Sequence, residues 1–183
     1  MIYPDAITNF NRTTTELEEF FMFSIVVAGK TAIIQAKKLD EFLYPAWLAG
    51  ISPFEYVDKL CKNKSLNTML KYHRLGQYSR ISYVLHNCRN LDLKNCSVED
   101  LERIKGIGPK TSRFFILHSR PNQNYAVLDT HILKWMRDNL ELKNVPAATP
   151  QSKKRYGELE KIFLDECEKR QTTPEKLDLE IWN

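Results

Sequence analysis

The sequence predicts an all-α protein, and three observations carry that prediction. Apolar residues recur at helical spacing along most of the chain. Strong helix-start signals, such as Ser52-Pro53-Phe54-Glu55 and Thr173-Pro174, stand in front of those stretches. No alternating apolar and polar run is long enough to support a sheet. About ten helices are expected in one domain over residues 1–183. The expected layout has two lobes, one from roughly 46 to 135 and one in which 1–45 packs against 136–183, with a ligand cleft between them.

Taken in order, residues 1–12 read as irregular. Thr13 or Thr15, each followed three residues on by a Glu, offers a capping box for the first helix. Leu17, Phe20, Phe21, Ser24, Val27 and Ala28 then share a face, and Gly29 breaks the pattern. A second helix is expected over Thr31 to Tyr44, with Ala32, Ile33, Ala36, Leu39 and Leu43 inward. The helix opened by Ser52 carries Phe54, Val57 and Leu60. A short helical piece from Leu66 to Tyr72 leads to a polar, aromatic turn over His73 to Tyr78, and the next helix, Ser79 to Arg89, should bury Ile81, Val84, Leu85 and Cys88.

Ser97 can cap a helix bearing Val98, Leu101 and Ile104. Lys105-Gly106-Ile107-Gly108-Pro109 then breaks it with two glycines and a proline suited to the first turn of a new helix, giving a helix-hairpin-helix over 98–119. Such a turn presents successive backbone N–H groups and the positive end of a helix, as a nucleic-acid phosphate requires. A Gly-x-Gly turn alone also serves as an ordinary connection between packed helices. Lys110 falls in the first turn of the second helix, where the helix dipole disfavours an ammonium, and a neutral lysine is a nucleophile. Further on, Val127-Leu128-Asp129-Thr130-His131 places an acid where it can cap a helix carrying Ile132, Leu133 and Met136. Held by amide donors, a carboxylate there can stabilise a developing cation.

Two prolines mark a loop over 144–150, and Thr149-Pro150 is expected to start a helix to about Arg170, burying Tyr156, Leu159, Ile162, Phe163 and Cys167. Lys153, Lys154 and Arg155 form a basic triplet, either a solvated face or a phosphate contact. Trp182 stands at the end of the last helix as a packing anchor or a base contact.

Composition excludes several classes. With 43% hydrophobic and 27% charged residues, the chain is that of a soluble globular protein. A net charge of +4, from 27 basic and 23 acidic residues, suits nucleic acid but does not require it. Cys61, Cys88, Cys96 and Cys167 match neither a zinc pattern nor a short disulfide framework, which points to buried thiols in a reducing compartment. The apolar run Phe20 to Ala28, interrupted by Ser24 and preceded by Glu16, Glu18 and Glu19, is neither a membrane span nor a secretory signal, so an intracellular protein with no membrane partner is expected, in cytoplasm and nucleoid or in a nucleus.

Gly106-Ile-Gly108-Pro-Lys110-Thr-Ser with Val127-Leu-Asp129-Thr-His131 resembles the signature of the helix-hairpin-helix (HhH-GPD) DNA glycosylase superfamily, specifically over Leu101 to Arg137. The resemblance implies a two-lobed helical glycosylase fold and, with lysine at this place, a bifunctional glycosylase and lyase of base excision repair. Lys110 would attack the sugar and Asp129 would assist. Lys105, Gly106, Ile107, Gly108, Lys110 and Thr111 would hold the DNA backbone, with a monovalent cation on the hairpin carbonyls. Lys30, Tyr78, His131 and Trp182 are candidates for DNA or base contact, and Lys30 lies where relatives place a gap-filling loop. Tyr72, His73 and Tyr78 are candidate stacking groups or core edges.

Many relatives similar to endonuclease III carry a four-cysteine iron–sulfur cluster after the aspartate. Here only Cys167 follows Asp129, so no cluster and no other cofactor is expected. The layout then resembles the compact 8-oxoguanine glycosylase/lyases, acting as monomers on duplex DNA with a damaged base. Excision of an oxidised pyrimidine or an alkylated base, and a non-catalytic DNA-binding hairpin module, are the alternatives.

Overall fold

A computed structural model describes residues 2–140, 142 and 144–182, the side chain of Asp5 excepted. Among these residues there are ten α-helices, a short 3-10 turn at Pro4–Ala6 and no strand, as the sequence predicts. Contacts divide the chain into Met1–Gly108 and Pro109–Asn183. The lobes expected from sequence were drawn differently, at 46–135 against the two ends.

In the first unit, α1 (Thr14–Val26) is the central element. Thr13 caps it through Glu16 in a reciprocal capping box, and the helix is apolar around nearly its whole circumference from Phe20 to Val26. A helix without a polar face must be surrounded. It packs against α2 (Ala32–Ala49), α3 (Pro53–Lys62) and α5 (Tyr78–Cys88), while α4 (Leu66–Tyr72) packs on α3 and α5. Ser52 and Glu55 form the expected capping box on α3. A third box, Ser97 with Asp100, starts α6 (Val98–Glu102).

Two expectations about α2 need correction. α2 runs through Pro45 to Ala49 and ends on Gly50 in the left-handed region, rather than stopping at Tyr44. Proline removes one helical hydrogen bond, but Phe42, Leu43 and Ala46 are fully buried on either side of it, and their burial outweighs that loss. Ile33 is 63% exposed instead of inward, because the buried face is set by Gln35, Ala36, Leu39, Phe42, Leu43 and Ala46 and Ile33 stands off its flank in the first turn.

The second unit contains α7 (Pro109–Ser119), α8 (Thr130–Asn139), α9 (Lys153–Lys169) and α10 (Pro174–Trp182). Its core gathers Ala126, Leu128, Ile132, Leu133 and Met136 against Tyr156, Leu159, Phe163, Cys167 and Leu177. α10 packs on α7, α8 and α9. Here α9 starts at Lys153, capped by Ser152, and not at Thr149-Pro150. The Thr149 hydroxyl is engaged elsewhere: it donates to the Leu128 carbonyl at 2.8 Å, so it ties down the segment before α8 and does not cap α9.

Candidate active site

The hairpin is a turn of defined type. Ile107 N–H donates to the Ile104 carbonyl at 3.0 Å, and Gly106, third in that four-residue turn, has φ +103°. A side chain there would meet strain and also space already filled, since a Cβ would lie 2.9 Å from Val84 Cγ2 and 3.0 Å from Arg80 Cγ. Ile107 itself is buried, whereas Lys105 and Gly108 are exposed.

Arg80 on α5 holds the turn from below, and sequence reasoning missed it. Its guanidinium donates to the Gly106 carbonyl at 2.9 Å, to the Ile25 carbonyl in the last turn of α1 at 2.6 Å, and to Gln77. Gln77 in turn donates to the Ala28 carbonyl at 3.3 Å. One charged side chain thus joins the hairpin to the end of α1. A monovalent cation on the Gly106 carbonyl would compete with that guanidinium, so this part of the hairpin does not fit the expected ion. Among the described residues no group of three or more His, Cys, Asp or Glu could hold a metal.

Lys110 projects from the first turn of α7, its side chain 26% exposed. Asp129 caps α8: its Oδ1 accepts the N–H groups of His131 and Ile132, both at 2.9 Å. Its Oδ2 faces Lys110 Nζ at 3.9 Å, and the carboxylate is only 5% exposed. The two amide bonds fix the carboxylate, so its other oxygen is aimed at the amine without a further ordering cost.

The segment carrying Asp129 is held from several sides. Tyr156 on α9 donates its hydroxyl to the Ala126 carbonyl at 2.8 Å and accepts the Leu128 N–H at 3.1 Å. Glu160 accepts the Ala126 N–H at 2.9 Å and Arg113 Nε at 2.8 Å, which links α9 to α7. Burial raises the Tyr156 phenol well above its usual range, so it serves as a neutral donor and acceptor.

Of the other candidates, His131 and Trp182 come together beside Asp129, with ring centroids 4.3 Å apart and planes tilted by 30°. Trp182 remains 40% exposed. Thr111 is buried next to Lys110. Lys30 and Tyr78 lie in the first unit. Lys30 donates to the Leu75 carbonyl, and burial, with Arg80 and Lys38 nearby, lowers its pKa from the usual lysine value. Tyr78 begins α5 beside Gln77, at a turn where Arg74, Gly76 and Gln77 all have positive φ. His73 packs edge-on against Phe42, and Tyr72 is largely exposed. Arg155 of the basic triplet pairs with Glu158 at 2.9 Å and with the Asn144 carbonyl.

Sequence reasoning also missed a buried pair on α7 and α10. His118 Nε2 lies 3.1 Å from Asp178 Oδ2, and both side chains are almost wholly inaccessible. The only sequence signal was Asp178 one helical turn before Trp182.

No protein-family model matches the chain. It is similar to the 8-oxoguanine DNA glycosylase/AP lyase of Picrophilus torridus, 37% identical over 82 residues, covering 45% of this chain and 37% of that protein. The enzyme of the same name from Thermotoga maritima is 31% identical over 119 residues, covering 60% of this chain and 56% of its own length. The chain therefore matches only part of each of these relatives. Among solved structures, the Methanocaldococcus jannaschii 8-oxoguanine glycosylase/lyase in complex with a 15-mer DNA containing 8-oxoguanine superposes with a TM-score of 0.67 at 21% identity, over 94% of this chain and 81% of that one. A second structure of the 8-oxoguanine DNA glycosylase of that organism gives 0.67 at 24% identity, over 97% and 81%. The fold is that of the helical helix-hairpin-helix glycosylases, and in sequence the chain is similar to the compact 8-oxoguanine DNA glycosylase/AP lyases among them.

Proposed function

We propose that the chain is a bifunctional DNA glycosylase and abasic-site lyase that excises an oxidised base, 8-oxoguanine foremost, from duplex DNA. The observation that carries this is the Lys110–Asp129 pair. An amine in the first turn of a helix, directly behind a Gly-x-Gly turn, faces a carboxylate 3.9 Å away whose other oxygen is pinned by two amides. Pure DNA binding needs the hairpin but neither of these groups. The named activity of the partial relatives and the DNA seen with the M. jannaschii enzyme support the same reading.

A stacked base shields its own sugar, so the nucleotide must first be extruded, at a cost of a few kcal/mol that damage reduces. The amides of Gly106 and Gly108 hold a backbone phosphate, since the Ile107 N–H is committed to the turn, and the exposed Lys105 stands beside them. The Lys110 amine forms a bond to C1′ as the glycosidic bond breaks and its electron pair leaves with the base. Asp129 offsets the positive charge that develops on the sugar. Opening of the sugar ring gives a Schiff base, and loss of a C2′ proton expels the 3′ phosphate by β-elimination. His131 and Trp182 offer a flat aromatic surface beside Asp129 for an extruded base, and Lys30 and Tyr78 are assigned to the DNA strand. Such a monomer works wherever the cell keeps its DNA.

Duplexes carrying one lesion each test this reading. Incision should be fastest at 8-oxoguanine and absent from undamaged duplex. Cleavage of an oxidised pyrimidine alone would name the other enzyme reading. Tight binding with no incision of any lesion would make the chain a binding module.

A further inference from the structure

Arg80 spends all three of its guanidinium nitrogens on neutral oxygens of other residues: the Gly106 carbonyl, the Ile25 carbonyl and the Gln77 side chain. Among the described residues no carboxylate pairs with it. A guanidinium drawn partly out of water without a counter-charge is costly, and these hydrogen bonds must offset that cost. One of them acts on the turn itself. The Gly106–Ile107 peptide is held at both ends, its oxygen by Arg80 at 2.9 Å and its N–H by the Ile104 carbonyl at 3.0 Å. A glycine at φ +103° restrains its own backbone very little, so the orientation of that peptide has to come from contacts. The peptide lies between the Gly106 and Gly108 amides, the two donors assigned to phosphate.

We infer that Arg80 is a positioning residue for the phosphate grip of the hairpin, an inference that rests on the glycosylase/lyase reading. A peptide unit is planar, so fixing the Gly106 carbonyl also fixes where the chain leaves the turn and the direction in which the next amide points. The second carbonyl, that of Ile25, belongs to a wholly buried residue in the last turn of α1, and it ties the hairpin to the core of the first unit. The stem of Arg80 fills the space beneath the turn, where a Cβ on Gly106 would lie 3.0 Å from its Cγ. Donors held in their bound geometry take up an anion without a further ordering cost. Lysine cannot substitute, because a single ammonium does not reproduce a planar fork that spans two carbonyls. With each nitrogen engaged inside the protein, Arg80 acts through the hairpin and does not itself grip phosphate.

The test is titration of labelled duplex containing a tetrahydrofuran abasic-site analogue, at several salt concentrations and well below the melting temperature of each variant. Arg80→Lys should weaken binding about tenfold and Arg80→Met about a hundredfold. The salt dependence of Arg80→Met should stay parallel to wild type, since no phosphate contact is lost. In a Gly108→Ala background, where the grip is already impaired, Arg80→Lys should cost less than about twofold more. Borohydride trapping on an 8-oxoguanine duplex should need about tenfold more Arg80→Lys protein for the half-maximal rate, with the limiting rate within about threefold of wild type. Wild-type affinity in Arg80→Lys overturns the inference, as does a loss that adds in full to that of Gly108→Ala. A salt slope lower by about one in Arg80→Met would make Arg80 a phosphate contact instead. If Arg80→Lys fails to fold, Arg80 is a strut of the core and the inference falls; if only Arg80→Met fails, the lysine variant and its double-mutant cycle decide. Wild-type protein that binds no abasic duplex and traps no lesion would instead sink the glycosylase/lyase reading itself.

Discussion

Asp129 divides its two carboxylate oxygens between two tasks: Oδ1 caps α8 through the His131 and Ile132 amides, and Oδ2 faces Lys110 Nζ at 3.9 Å. Capping and charge are therefore separable by substitution. Asn is as good a cap as Asp but carries no charge. Asp129→Asn should keep the thermal midpoint close to wild type and keep duplex affinity, while base release falls about 100-fold to 1,000-fold. Asp129→Ala should lose in addition about 1 kcal/mol of stability on urea denaturation. Equal turnover by the Asn variant would remove Asp129 from the chemistry.

Tyr156 is expected to matter for function without touching DNA. Its hydroxyl serves the Ala126 carbonyl and the Leu128 amide, the two residues that lead into Asp129. Tyr156→Phe leaves both buried groups short of a partner, at about 1–3 kcal/mol. The predicted result is a lower urea midpoint together with slower base release. A variant with wild-type stability would show that this clamp is not what holds the segment.

The two hairpin glycines should behave differently. At Gly106, φ +103° and a Cβ 2.9 Å from Val84 make Ala costly in both strain and space, by about 1–3 kcal/mol. At Gly108 nothing lies within 4 Å of an added Cβ, so Ala is accommodated by the fold. Gly106→Ala is expected to weaken abasic-duplex binding and lower the melting temperature, and Gly108→Ala to affect DNA binding alone. Calorimetry and a titration with labelled duplex distinguish them.

The thiols report on packing. Burial pushes Cys88 and Cys167 up to about 12, and Cys96 is as inaccessible, whereas Cys61 is half-buried. Ellman's reagent at pH 8 should titrate at most Cys61 in the native protein and all four thiols in guanidinium. Rapid reaction of a second native thiol would contradict the buried cores around α5 and α9.

Local signals carried the sequence reading far. Thr13 with Glu16, Ser52 with Glu55 and Ser97 with Asp100 are capping boxes within four residues of chain, and Gly106 and Asp129 declare a turn and a cap in the same way. What escaped depended on contacts distant in sequence. The run of α2 through Pro45 rests on burial of Phe42 and Ala46, and the late start of α9 on the Thr149 hydroxyl being drawn to Leu128. Arg80 beneath the hairpin and Asp178 against His118 join residues far apart in the chain, and no spacing rule finds an arginine bonded to two remote carbonyls, those of Gly106 and Ile25. The pairing of Lys110 with Asp129 was expected from the motif, but its geometry, one oxygen pinned and one aimed, was visible only in the structure.

Covalent capture of the sugar by Lys110 tests the account most directly. Incubation with an 8-oxoguanine duplex and sodium borohydride should convert wild-type protein into a stable protein–DNA adduct, with the link mapped to Lys110 by peptide mass, and Lys110→Gln should give none. No adduct with wild-type protein, or an undiminished one with Lys110→Gln, would contradict it.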